Sequence, residues 1–119
     1  MTEIAKALYA FYSGFGIPAY TEDSVPAEAA LPYITYTLPQ SDLFSAATHQ
    51  VRVWYWGTDN ARVNAKADEI LAAIGRGIKL KAGHGLVCIY PGDGSLAQMQ
   101  PTDEDIRIVY INLYLRAYV

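Results

Sequence analysis

The segment "IRIVYINLYLRAYV", Ile106 to Val119, constrains this chain more than any other. Its apolar side chains recur at every second position. Val109, Ile111, Leu113 and Leu115 fall on one side, and Ile108, Tyr110, Asn112, Tyr114, Arg116 and Tyr118 on the other. Period two is the signature of a strand. A strand this long belongs inside a sheet. Its aliphatic side suits a face covered by helices, and its second side is amphipathic, neither a clean core nor a clean solvated surface.

Two segments can supply the covering helices. From about Thr2 to Phe15, Ile4, Leu8, Phe11, Tyr12 and Phe15 recur at spacings of three and four and form one apolar stripe. Thr2 can cap the start, and Gly14 and Gly16 mark the end. From about Asp59 to Ile74, the stripe is Val63, Ala67, Ile70, Leu71 and Ile74, with Lys66, Asp68, Glu69 and Arg76 on the solvated side. Thr58 is the expected N-cap, Asp59 sits in the first turn, and Gly75 and Gly77 stop the helix.

Further strands lie between them. "PYITYTL" alternates Ile34, Tyr36 and Leu38 with Tyr33, Thr35 and Thr37, bounded by Pro32 and Pro39. "HQVRVWYWG" alternates Val51, Val53 and Tyr55 with Arg52, Trp54 and Trp56. "IKLKAGHGLVCIYPG" reads as a short strand, a glycine turn and another strand. The order is helix, two strands, helix, two or three strands. Adjacent runs of strands favour antiparallel pairing. The expected fold is a single α+β domain over residues 1–119, with two layers: two helices packed on one mainly antiparallel sheet of four to five strands. Leu113 and its three aliphatic neighbours are expected under both helices.

Two segments do not fit this regular scheme. "GIPAYTEDSVPAEAALPYITY" holds Pro18, Pro26 and Pro32 and runs from helix to strand. Proline-biased segments are extended and lose little entropy on ordering, so this arm can either span a neighbouring subunit or fold back over its own helices. Its apolar anchors would be Tyr20, Val25 and Leu31. The second segment, Pro91 to Asp105, reads as a loop, expected to be mobile in an isolated subunit and to order on assembly.

Charge and composition narrow the function. Hydrophobic residues make up 52% of the chain and charged residues only 18%, below the usual ~25%. A surface short of charge, with ten tyrosines, points to cover by partners. The net charge is −3 and no Lys/Arg cluster appears, so specific nucleic-acid binding is not expected. No apolar run reaches the ~18 residues of a membrane span, and the N-terminal residues lack a signal-peptide pattern. Cys88, the single cysteine, reads as a small buried apolar residue in a reducing compartment.

Catalytic chemistry finds little footing. His49 and His84 have no metal-ligand partner at useful spacing, and His84 in "AGHGL" reads as a turn residue. The glycines of "GRGIKLKAGHG" match no nucleotide-binding loop. Asp103, Glu104 and Asp105 lack the calcium-loop pattern and read as a solvated charge run. Trp54 to Trp56 resembles a stacking platform for bases, but without basic residues around it an aromatic strand packing on its neighbours is the better reading. No catalytic, cofactor-binding or metal residue is expected. The tyrosine row stands between an interface and ordinary cross-strand packing.

The stretches "FGIPAYTEDSVP", "LPYITYTLP", "VRVWYWGTDNARVNAKADEI" and "AQMQPTDEDIRIVYINLYL", in that order, resemble the tail terminator or tail completion proteins of tailed phages and prophages, encoded among head-to-tail joining and tail genes. The resemblance covers nearly the whole chain, through short apolar motifs. It implies a structural role without catalysis or cofactors. Subunits would form a six-membered ring that caps the tail-tube protein and offers a surface to the head connector protein. The expected location is the virion tail or neck, with assembly in the host cytoplasm. A neighbouring head–tail connector of related fold fits as well, and the rival from another class is a small-ligand-binding or enzymatic α+β domain. A closed ring needs two different patches on each subunit. The candidates are the arm (Tyr20, Val25, Leu31) and the final strand's amphipathic face (Tyr110, Tyr114, Arg116, Tyr118).

Overall fold

The computed structural model describes residues 2–38, 47–57, 59–91, 97–100 and 105–118. Helix α1 spans Thr2–Ser13, followed by strands β1 (Ala19–Thr21), β2 (Tyr33–Tyr36) and β3 (Ala47–Trp56). Helix α2 (Ala61–Ile74) precedes β4 (Ile78–Ala82), β5 (Gly85–Pro91), β6 (Ala97–Gln100) and β7 (Ile106–Tyr118). The fold is α+β, two helices against one sheet. That sheet is larger than expected and mixed: six strands in the order β1-β2-β3-β7-β5-β4, with β6 pairing on β7 as well.

The long C-terminal strand is the hub. On one edge β7 pairs antiparallel with β3 from Ile106 to Leu115. On the other edge it pairs first with β6, Met99 opposite Val109, and then with β5, Ile89 opposite Leu115. β5 and β6 are therefore successive segments along the same edge of β7. The expected loop from Pro91 to Asp105 thus contains a strand. Its "AQMQ" carries too little alternation to show one, and pairing to β7 decides it. Residues 92–96 and 101–104 of that segment lie outside the described residues.

The proline arm has a topological explanation. β1 pairs parallel with β2, Ala19 opposite Ile34 and Thr21 opposite Tyr36. Parallel neighbours need the chain to return to the starting end of the sheet, which takes a crossover and not a tight turn. Residues 22–32 make that crossover without a helix. Two turns shape it, with the Ser24 N–H donating to Thr21 O (3.0 Å) and the Ala29 N–H to Pro26 O (3.0 Å). At the ends, the Ile34 N–H donates to Pro18 O and the Glu22 N–H to Tyr36 O, each at 2.9 Å. This pair makes the sheet mixed; the other described pairings are antiparallel, in keeping with a mainly antiparallel sheet.

The sheet curls so that α1 touches both of its end strands, β1 and β4, while α2 lies on β3, β7 and β5. The core is continuous beneath both helices. Ile4, Leu8 and Tyr12 of α1 and Val63, Ala67, Ile70 and Ile74 of α2 are buried with Val51, Val53, Val87, Ile89 and the expected Val109, Ile111, Leu113 and Leu115. Leu71 is only half-buried. Helix ends differ slightly from the sequence reading. α1 stops at Ser13, with the Gly14 N–H donating to Phe11 O and Gly16 at φ 86°. α2 begins at Ala61, whose N–H donates to Asp59 Oδ1 (2.9 Å), so Asp59 caps the helix from outside it. Thr58 and the side chain of Thr2 lie outside the described residues. Gly75 and Gly77 end α2 as expected, their N–H groups donating to Leu71 O and Ile74 O.

The turn between β4 and β5 is a two-residue hairpin, Gly83-His84, with Ala82 opposite Gly85. Gly83, not His84, takes the left-handed conformation (φ 61°), the pattern of a turn with glycine at its first central position. A side chain there would also meet Glu3 of α1 at 3.0 Å. Gly83→Ala is expected to cost about 1–2 kcal/mol from backbone strain, measured as a lowered urea midpoint with an unchanged m-value.

Candidate interface

Neither helix covers the outer face of the sheet. Alternation sends the even-numbered side chains of β3 and β7 outward, and the cross-strand register sets them side by side. Tyr33, Trp54 and Ile108 form one row and Thr35, Arg52 and Tyr110 the next. Tyr114 lies between Thr48 and Tyr90, and Arg116 beside Cys88.

Aromatic contacts knit this face. Tyr20 meets Tyr33 edge-on at 5.7 Å between centroids, and Tyr33 lies 5.7 Å from Trp54. The Trp54 indole N–H donates to Thr35 Oγ1 (3.0 Å), which explains a threonine buried on the outer side. The Arg52 guanidinium lies 4.6 Å over the Tyr110 ring and pairs with Glu22 at 2.8 Å. Tyr90 and Tyr114 stand 5.8 Å apart. Tyr118 hydrogen-bonds Arg116 and holds its guanidinium pKa above the usual value.

The expected interface residues are thus found in two places. Tyr110, Tyr114 and Arg116 are half-buried and Tyr118 is 48% exposed, all on the outer face. Tyr20 stands at the β1 end of the same sheet, half-buried against Tyr33 of its own chain. Val25 and Leu31 lie in the crossover, half-buried. Ile108, though outward-facing, is buried beside Trp54 and belongs to this face, not the main core. Sequence reading left Tyr33, Arg52 and Tyr90 out of the face. Pairing the outward residues of neighbouring strands would have found them.

Several single-residue expectations change. Cys88 is half-buried on the outer face rather than in the core, because it follows the parity of Leu86 and Tyr90. Lys66 is not solvated: its ammonium donates to Phe15 O (2.6 Å) and pairs with Glu69 (2.8 Å), tying α2 to the chain beyond α1. Trp54 and Trp56 face outward while Tyr55 points inward, buried, with the Arg62 guanidinium 5.3 Å over its ring.

The inner side holds one polar cluster that sequence reading missed. His49, 1% exposed, lies 2.7 Å by Nε2 from the Tyr12 hydroxyl and 3.4 Å by Nδ1 from Thr37 Oγ1. Tyr12 stacks on Tyr36 at 4.8 Å. Burial lowers the His49 pKa to about 4, against a smaller opposing effect of a hydrogen bond to the Thr37 backbone. Burial also raises the Tyr12 pKa, with Tyr36 adding to it. Both groups are neutral near pH 7 and serve as hydrogen-bond partners that satisfy each other in the core. The odd-numbered parity His49 shares with Val51 and Val53 was the available signal.

Among the described residues, no group of three or more His, Cys, Asp or Glu side chains is placed to hold a metal ion. An open depression of about 330 Å³ is lined by Glu22, Asp23, Thr37 and Leu38. Comparison of the chain with protein-family models, curated proteins and solved structures finds no match.

Proposed function

We propose that this chain is a structural subunit of a phage or prophage tail, a terminator that assembles as a ring of six, caps the tail tube and meets the head connector. The supporting observation is the outer sheet face. It is aromatic along its length, half-buried within a single subunit, and covered by neither α1 nor α2. Tyrosine and tryptophan offer rigid contact area with a polar handle and little entropy cost, the composition of protein interfaces. In this reading the subunit works in the tail or neck of the virion, needs no cofactor and catalyses nothing. A head–tail connector role would use the same face, and a small-ligand domain would instead use the depression at Glu22 and Asp23.

Electron microscopy of the protein mixed with polymerising tail-tube subunits tests the reading directly. Capped tubes of uniform length support it. A small-ligand protein would leave tube length unchanged and show a ligand-dependent thermal shift. Tyr114→Glu places a charge in the contact and is expected to weaken assembly by about 3–5 kcal/mol where the site is desolvated. The monomer should keep its circular dichroism spectrum. A folded Tyr114→Glu protein that still limits tube length normally would remove this face from the ring contact.

A further inference from the structure

We propose that successive copies of this chain join by the acidic crossover of one copy, Glu22 to Glu28, seating on a cationic tyrosine corner of the next, built around Lys79, Lys81 and Arg116. This contact rests on the ring reading above and names the two patches that such a ring brings together.

The crossover has one sign of charge. Residues 17–32 hold Glu22, Asp23 and Glu28 and no lysine or arginine. Glu22 is engaged by Arg52 of its own chain. Asp23 and Glu28 are exposed, and among the described residues no cation lies within ion-pair distance of either. Two turns shape the crossover, which has no strand or helix of its own and is mostly exposed, with half-buried Val25 at its centre.

The corner has the opposite sign. Register sets Lys79, Cys88 and Arg116 in one cross-strand row and Lys81, Leu86 and Tyr118 in the next. Both lysines point outward, since Ile78, Leu80 and Ala82 take the inward positions of β4. The Tyr90–Tyr114 pair continues the surface. The outward positions of β4, β5 and the paired half of β7 carry three cations, three tyrosines and no carboxylate, on a chain whose net charge is −3. Leu86 and Tyr118, 39% and 48% exposed, add apolar area. Three like charges on a negative chain, beside exposed aromatic surface, suit an acidic protein segment. Charge complementarity of this kind sets register and partner choice.

Topology makes the pair usable. The crossover sits at the β1–β2 end of the strand order and the corner at the β5–β4 end. A contact between them is heterologous, joins copies head to tail, and closes into a ring when the rotation per step allows.

The test is charge reversal read by sedimentation and native mass spectrometry. Asp23→Lys/Glu28→Lys inverts the crossover, and Lys79→Glu/Lys81→Glu inverts the corner. All four residues are exposed, and circular dichroism checks that each variant folds. Each double variant alone is expected to lose self-association at least tenfold. An equimolar mixture of the two should recover it, because each copy then meets only oppositely charged neighbours. Wild-type association should weaken as salt rises from low to molar concentration. If wild type assembles and both double variants assemble equally well, this contact is overturned while the ring reading stands. Loss in both without recovery in the mixture overturns the pairing too. A wild-type chain that stays monomeric at every salt concentration, with and without tail-tube subunits, overturns the ring and this contact together.

Discussion

Leu113→Ala is expected to lower the unfolding free energy by about 2–5 kcal/mol, the range for deleting a buried leucine side chain and leaving a cavity behind. Leu113 is 3% exposed and sits where three strands meet, opposite His49 on β3 and Pro91 on β5. Pairing on both edges pins its backbone, so neighbouring residues cannot close readily over the space. Leu86→Ala is the matched control. Leu86 lies on the outer face, 39% exposed, and its loss should change stability by less than about 0.5 kcal/mol. Urea unfolding followed by circular dichroism compares the two. A loss at Leu113 smaller than that at Leu86 would mean that the inner and outer faces of β7 have been exchanged.

The second large effect is acid lability through His49. Its pKa is about 4 in the folded chain, against an ordinary 6.5. As pH falls below 6.5 the unfolded chain takes up a proton that the folded chain refuses, so stability drops. The drop continues until the folded state also protonates near pH 4. The difference of two to three units corresponds to about 3 kcal/mol, since each unit is worth about 1.4 kcal/mol. The effect is absent above about pH 7. His49→Gln keeps a polar group for Tyr12 but removes the titration. The urea midpoint of wild type should therefore fall more steeply than that of His49→Gln between pH 6.5 and 4. Carboxylates titrating in the same range affect both proteins alike and cancel in the comparison. Parallel curves would show that His49 is not held neutral by the core.

The legible part of the sequence is whatever repeats. Val109, Ile111, Leu113 and Leu115 recur at period two, and Val63, Ala67, Ile70 and Ile74 at helical spacing. Each set lies in the core where the pattern placed it. What escaped was set by partners distant in the chain. β1 is three residues long and becomes a strand only because residues 33–36 lie beside it. "AQMQ" becomes a strand only on the edge of β7. Lys66 looked like a solvated helix residue until the chain after α1 brought Phe15 O to it. The interface was half-visible for the same reason. Tyr110 and Tyr114 announce themselves by alternation within one strand. Arg52, Tyr33 and Tyr90 join them only through register, which no local pattern encodes.

The hub position of β7 has a consequence for biosynthesis. Among the described elements it comes after β3, β5 and β6, yet all three pair with it. Until β7 leaves the ribosome, those strands have exposed edges and α2 has only part of its floor. The N-terminal helix waits as well, because one of its two landing strands, β4, starts at Ile78. Partner segments so far apart along the chain make closure slow and keep pairing edges open meanwhile. The long-range pairings to β7 are therefore expected to form late in folding, and a variant that weakens them would leave β3, β5 and β6 with open, aggregation-prone edges.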